Sequence, residues 1–242
     1  MTDFHSHILP GMDDGSKNAE ESVKMLEVSA SQGIKAIVAT PHFYPTDESP
    51  KDFLARREAA IDRLSPLLMG RDDLPEIYVG AEVAYYRGLG KSEFASSLAI
   101  EGTNIILVEM PAYEWNDFVV DDLISLAKEQ ALRPVIAHLE RYISFQSKQT
   151  VDKLIYNEVL FQANASFFDG GFFTKRKAIK MVETGRISLL GSDCHNLDTR
   201  APGLTKATDL IKEKLGEDYV RRLSMNAKML LHNAKPILKN LV

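Results

Sequence analysis

Short apolar runs rich in Val, Ile, Leu and Ala alternate along the chain with stretches whose apolar positions recur at helical spacing. Seven such runs lie near residues 2–7, 34–40, 76–83, 104–110, 134–139, 160–167 and 187–193. Several are almost continuously apolar, as from Ile34 to Ala39 and from Ile105 to Val108, which is the pattern of strands covered on both faces. Between them, Asn18-x-x-Glu21 has capping spacing, Val23, Leu26 and Ala30 repeat at helical intervals, and Gly33 stands where a helix would stop. Further helices fit 51–69, 116–131, 148–157, 174–185 and 204–215, with a helical C-terminal segment after Gly216. Repeated βα units specify an α/β protein with a parallel sheet. No linker, repeat or low-complexity tract divides residues 1–242, so the expected architecture is a single domain, a closed or nearly closed barrel of seven βα units.

The polar residues at the ends of these runs change the picture from fold to chemistry. Five of the six histidines occur there: His5, His7, His42, His138 and His195. Glu82, Glu109 and Asp193 hold equivalent places, and Asp14 lies in the loop just past the first run. Barrel enzymes carry their chemistry at the C-terminal ends of the strands. In extended chain, residues two apart share a face, so His5 with His7 and Asp193 with His195 can each aim two groups into one pocket. Imidazole and carboxylate together suit Mn, Fe or Zn rather than a soft-metal site. His232 falls in the C-terminal helical segment and reads as a surface or packing residue. Asp13 reads as a turn cap with Gly15, and Glu140 either shares a face with His138 or forms a rim salt bridge.

Composition narrows the class. At 45% hydrophobic and 26% charged the chain is an ordinary globular one. The net charge of −5 argues against a nucleic-acid surface, although bound dications would make the site itself electropositive and suited to an anionic substrate. The single Cys194 excludes an internal disulfide, and the opening strand has no leader-like pattern, so a cytoplasmic protein is expected. No apolar run approaches the ~20 residues that cross a bilayer; membrane contact is expected only through a partner. Cys194, between Asp193 and His195, should by alternation point away from the pocket. Arg141 and Arg200 follow the fifth and seventh runs and offer guanidinium forks to a phosphate. Tyr44, Tyr85, Tyr86, Tyr113 and Trp115 lie just past strand ends and are candidates for a substrate mouth.

The blocks His5-Ser-His7, Asp13-Asp14-Gly15, Thr40-Pro41-His42, Gly80-Ala81-Glu82, His138-Leu-Glu-Arg141-Tyr142 and Ser192-Asp193-Cys-His195-Asn196-x-x-x-Arg200 resemble the polymerase-and-histidinol-phosphatase (PHP) superfamily. More narrowly they resemble its bacterial tyrosine phosphatases of capsule and exopolysaccharide loci. The resemblance runs from Met1 to the C-terminal helix. It implies a distorted (β/α)7 TIM-like barrel with three divalent metal ions, usually manganese, with iron or zinc as alternatives. By position, His5, His7, Glu82 and Asp193 would hold one ion, with Glu82 bridging to a second held by Glu109 and His138. Asp14, His42 and His195 would hold the third, and Arg141 and Arg200 would grip phosphate. One departure from the pattern is Asn226-Ala227, where relatives often carry Asn-Pro.

The implied reaction is hydrolysis of phosphotyrosine by a metal-activated water, with no covalent enzyme intermediate. The implied partner is a phosphotyrosine-bearing protein, the tail of a bacterial tyrosine kinase regulating polysaccharide production. Two other readings stay open on the residues alone: a phosphoesterase acting on a small phosphomonoester such as histidinol phosphate, and a non-catalytic metal-binding adaptor of a kinase assembly. Oligomeric state is not specified by the sequence.

Overall fold

A computed structural model describes residues 1–237. In chain order the elements are β1 (Thr2–Ser6), α1 (Ala19–Ser31), β2 (Ala36–Ala39), β3 (His42–Phe43), α2 (Pro50–Leu68), β4 (Glu76–Val79), β5 (Glu82–Ala84), β6 (Ile105–Glu109), α3 (Asp117–Gln130), β7 (Arg133–Ile136), α4 (Lys148–Tyr156), β8 (Leu160–Asn164), α5 (Phe172–Glu183), β9 (Leu189–Gly191), α6 (Thr205–Leu215) and α7 (Glu217–Leu230). The helices start where local chemistry predicts. Asn18 Oδ1 accepts the Glu21 N–H at 2.9 Å while Glu21 bonds back to the Lys17 N–H, and Gly33 ends the first unit at φ 76°. α7 is the helical segment expected after Gly216; residues 238–242 at its far side lie outside the described residues. Among the described residues, no helix is long and apolar enough to cross a membrane.

All named strand pairs are parallel, in the orders β1-β2-β4 and β3-β5-β6-β7-β8-β9. The sheet curls. Just past β9, Asp193 N–H donates to His5 C=O and His7 N–H donates to Cys194 C=O, at 2.8 and 2.9 Å, which brings the end of the chain of strands back against β1. One of the seven expected runs, 76–83, is split in two, and the run 34–40 is followed by a separate short strand beyond its end. Pro41, lacking an N–H, separates β2 from β3. Gly80-Ala81 separates β4 from β5, with Gly80 so close to Ile100 that a Cβ would lie 3.0 Å from its Cγ1. Three others stop early: the fifth ends at Ile136, before His138, the sixth becomes a 3-10 turn over Ala165–Asp169, and the seventh ends at Gly191, before Asp193.

Apolar residues cover both faces. Ile106 and Val108 of β6 belong to the outer core under the helices, whereas Ile105 and Leu107 belong to an inner core with Phe4, Val38, Val135 and Leu189, closed off by Ala227 and Leu231. Following the inner parity of β6 one step further reaches Glu109, and in β8 the same parity runs Leu160, Gln162, Asn164. The inner face is thus apolar low down and polar at the C-terminal rim. β1 reaches the same result by a different device. Thr2, Asp3 and Ser6 pair with Ala36, Ile37 and Ala39, three steps against two, so β1 carries one extra residue. That bulge lets Phe4 enter the inner core and still turns both His5 and His7 toward the rim.

Candidate metal centre

All nine residues singled out as ligands gather at this rim. Donor atoms lie within 4.8 Å of one another in four overlapping groups: His7, Asp14, His42 and His195; His5, Glu82 and His138; His5, His7 and Asp193; and His42, Glu82 and Glu109. The grouping differs in detail from the positional expectation, since His42 also approaches Glu82, with Nδ1 to Oε2 at 3.1 Å. Glu82 is the hub. Its Oε1 meets His138 Nε2 at 2.7 Å, and its Oε2 meets His5 Nε2 and His7 Nε2 at 3.0 and 3.2 Å. Burial works against ionisation of Glu82, yet the charge of His5 and hydrogen bonds from His138, His5 and His7 hold its carboxyl well below the ordinary range.

The histidines are oriented from behind. His7 Nδ1 donates to Asp13 Oδ2 at 2.8 Å, His138 Nδ1 meets Tyr142 Oη at 3.0 Å, and His195 Nδ1 donates to the Asp193 carbonyl at 3.0 Å. Each arrangement leaves Nε2 facing the centre, as metal-ligating imidazoles are normally presented. The donor set fits cations. Two imidazole nitrogens, His5 Nε2 and His7 Nε2, face each other at 3.1 Å, and the buried His42 Nδ1 and His195 Nε2 lie 3.1 and 3.2 Å from carboxylate oxygens of Glu82 and Asp14 without hydrogen-bond geometry. Around them stand four carboxylates, those of Asp14, Glu82, Glu109 and Asp193. Burial, and then the charge of Glu82, push Glu109 up to about 7; burial, with the charges of His7 and Arg200, pushes His195 down to about 4.

Arg141 and Arg200 stand at the opening, 44% and 38% exposed. Both reach Asp193: Arg141 Nη2 donates to Oδ2 at 2.7 Å and Arg200 Nη2 to Oδ1 at 2.8 Å. Asn164 Nδ2 adds a third donor at 2.8 Å. Asp193 and His138 have left-handed backbones, φ 54° and 32°, an uncommon conformation for such residues. A turn past β9, not strand alternation, therefore delivers both Asp193 and His195 to the rim.

Several expectations need correction. Trp115 is 3% exposed, with Nε1 donating to Pro111 C=O, so it packs under the rim and does not line a mouth. Tyr85 donates to Asp122 and, with Tyr113, Arg87 and Phe118, lines a separate cleft of about 450 Å3. Tyr44 stacks on His42 at 5.2 Å and borders a cleft of about 610 Å3 shaped by Asp14 from the loop after β1 and by Asp47 and Glu48 from the loop after β3. A second cleft of about 690 Å3 runs from Arg141, Asp193 and Arg200 to Lys206. Glu140 forms neither a rim salt bridge nor part of a ligand group among the described residues; its carboxylate accepts the Asn164 N–H at 3.2 Å. His232 is exposed, just beyond α7.

No Cys-x5-Arg phosphatase loop is expected from the sequence, yet Cys194 and Arg200 have that spacing, the pattern of cysteine-dependent phosphatases. The thiol is fully buried in the outer core, and burial pushes its pKa far up, which removes it as a nucleophile. Also missed were the supporting residues. Asp13 does cap Gly15, at 2.9 Å, but its other oxygen holds His7 and the His42 N–H. Gln162 Oε1 meets His5 Nδ1 and the His138 N–H. Their signal was two polar residues, Gln162 and Asn164, at period two inside an apolar strand.

The model of the family described as "Capsular polysaccharide synthesis, CpsB/CapC" matches residues 1–237. The chain is 31% identical to tyrosine-protein phosphatase YwqE of Bacillus subtilis (strain 168), over 96% of this chain and 92% of that protein. It is 30% identical to tyrosine-protein phosphatase CpsB of Streptococcus agalactiae serotype III, over 99% of both. Among solved structures, one reported for YwqE from Bacillus subtilis and CpsB from Streptococcus pneumoniae, described as unique metal-dependent tyrosine phosphatases, superposes with a TM-score of 0.84. It covers 97% of this chain and 96% of that one, at 28% identity. With a converged histidine and carboxylate rim and a match along nearly its whole length, the chain belongs to the CpsB/CapC family of capsular polysaccharide synthesis.

Proposed function

We propose that this chain is a metal-dependent protein-tyrosine-phosphatase, working on phosphotyrosine in the control of capsular or exopolysaccharide synthesis. The observation that carries the reading is one cluster holding nine imidazole and carboxylate donors with two arginines at its lip. The fold we assign is a single-domain, distorted (β/α)7 barrel, with the Ser6 to Cys194 bridge as its closing seam. The metal ligands are His5, His7, Asp14, His42, Glu82, Glu109, His138, Asp193 and His195, for three divalent ions, manganese by family resemblance. Bound there, such ions supply Lewis acidity toward the phosphoryl oxygens and a water of lowered pKa as the nucleophile.

The remaining work falls to the chain itself. Arg141 and Arg200 bind the phosphoryl oxygens, exchanging their bonds to Asp193 for bonds to substrate and stabilising charge that builds in the transition state. Asp13 and the Asp193 carbonyl fix the protons of His7 and His195 on Nδ1, so that Nε2 stays free. Tyr44, stacked on His42, flanks the phenyl ring of the substrate. A phenolate, with a pKa near ~10, departs without a strong acid. The partner is a flexible phosphotyrosine segment, by resemblance the tail of a bacterial tyrosine kinase, and the compartment is the cytoplasm, where Cys194 stays reduced.

Two measurements test this. Elemental analysis of fully active protein is expected to give close to three ions per chain, and one or none after metal titration to full activity would refute the trinuclear assignment. Side-by-side kcat/KM values on a phosphotyrosine peptide, a phosphoserine peptide and histidinol phosphate are expected to favour the first. A preference for either of the others would overturn the substrate while leaving a metal phosphatase.

A further inference from the structure

The start of α5 breaks the ordinary rules for a surface helix. Phe172 and Phe173 are 74% and 81% exposed, their rings in edge contact with each other at 5.5 Å, and neither lines any of the clefts described above. Immediately after them come Lys175, Arg176 and Lys177, with Lys180 one turn further. The N-cap is Gly171, which offers no side-chain bond, and the first turn has no acidic residue. Cations at a helix N-terminus oppose the helix dipole, and exposed phenylalanines lose nothing by being replaced, so every one of these choices is neutral or unfavourable for folding. Local conflicts of this kind mark positions kept for something other than stability.

Three of the four cations form no close ion pair. Among the described residues, Lys175, Arg176 and Lys177 have no carboxylate within 4 Å, although Lys175 acts at longer range on Asp169, which pairs with Lys206; Lys180 pairs with Glu183. Gly170 packs closely on Thr174, since a Cβ there would lie 2.7 Å from Thr174 Cγ2. The patch stands past the C-terminal end of β8, the strand whose last residue, Asn164, holds Asp193. It is therefore on the same rim as the metal centre.

We propose that Phe172, Phe173, Lys175, Arg176, Lys177 and Lys180 form a docking surface for an anionic lipid bilayer. The two rings enter the interfacial layer and the four cations sit over the headgroups. Charge complementarity selects an anionic partner for a patch whose host carries −5 overall, and screening beyond ~8 Å lets the local cations prevail over the distant net charge. Two protruding neighbouring rings favour a fluid interface, which closes around any convex shape, over a protein groove, which must be cut to fit. The catalytic rim is then held facing the membrane, and phosphotyrosines tethered close to it are concentrated at the site.

The test is co-sedimentation of the metal-loaded, full-length protein with vesicles of phosphatidylcholine alone or mixed with phosphatidylglycerol. Binding is expected to the mixed vesicles only and to fall as salt is raised, a result that needs no variant. Phe172→Ala with Phe173→Ala should weaken partitioning by roughly tenfold per ring. Lys175→Gln, Arg176→Gln and Lys177→Gln together should weaken it roughly a hundredfold, at about fivefold per cation. Both variants should keep wild-type melting temperature and turnover of a soluble phosphotyrosine peptide. Phe172→Leu with Phe173→Leu should keep most of the binding. Absence of binding to anionic vesicles, equal binding to neutral ones, or variants that bind as wild type would each overturn the proposal, as would capture of an acidic polypeptide in place of vesicles.

Discussion

Asp13→Asn removes one charge from behind the metal centre and keeps the shape. In the native site Asp13 Oδ2 accepts two donors, His7 Nδ1–H and His42 N–H, each at 2.8 Å, while Oδ1 accepts the Gly15 N–H at 2.9 Å. An amide presents oxygen to one side only. Keeping the first two bonds turns its NH2 against the Gly15 N–H, and Gly15 has no room to yield, since even a Cβ there would lie 2.3 Å from the His7 carbonyl oxygen. The orphaned donor costs about 1–3 kcal/mol, or about 2–4 °C of melting temperature per kcal/mol for a chain of this size. The bond to His7 falls to about half its strength on losing its charge. Removal of a carboxylate behind a ligating histidine lowers metal affinity by about 10–100-fold.

The acid response changes as well. Burial opposes ionisation of Asp13, but the hydrogen bond and charge of His7 outweigh it and hold its pKa well below the ordinary value. A depressed carboxylate contributes stability that is full above its unfolded pKa of about 4 and lost as pH falls through the folded value, so the variant lacks this part of the acid slope. Manganese titration followed by calorimetry, with thermal melts of metal-free protein across pH, reads all three effects. Unchanged metal affinity beside a lowered melting temperature would reduce Asp13 to a turn cap and refute its role in orienting His7.

Arg141→Ala and Arg200→Ala should each lower kcat by about 10²-fold with metal content unchanged, as expected for a major electrostatic donor; near wild-type turnover in both would remove them from phosphate binding. Cys194→Ser should retain turnover despite the Cys-x5-Arg spacing, because the thiol is sealed in the outer core; a dead but folded and metal-replete variant would reinstate a thiol mechanism. Glu109, raised to about 7, favours the metal-free fold at low pH, a contribution lost as pH rises through that value. Metal binding at pH 6 must then expel its proton, and calorimetry in two buffers of different ionisation enthalpy should find about one proton fewer released by Glu109→Gln.

The nine candidate ligands were legible because each terminates or follows an apolar run, and in a parallel sheet such ends share one rim. Their supports were not. Asp13 looked like a turn residue, and it is one, but its second oxygen serves a histidine six positions back that only the folded loop brings near. Gln162 and Asn164 sit inside an apolar strand, where a polar pair at period two is the only sign of their supporting role. Trp115 sat at a strand end in sequence yet turned inward, because nothing in one-dimensional order fixes which way a loop side chain packs. Strand lengths were overestimated where Gly80 or the turn at Asp193 interrupts pairing, since hydrophobic continuity outlasts the hydrogen-bond ladder.

The extra residue in β1 separates two kinds of mutational tolerance. Substitution between Asp3 and Ser6 changes a side chain and leaves its neighbours where they are. Deletion of a single residue there restores even pairing with β2, and in doing so rotates everything downstream by half a pleat. His5 and His7 would then exchange places with residues meant for the helices, and the site would be lost with every ligand type still encoded. This segment is therefore constrained in length before it is constrained in identity, and an insertion or deletion there is a heavier lesion than the loss of any one imidazole.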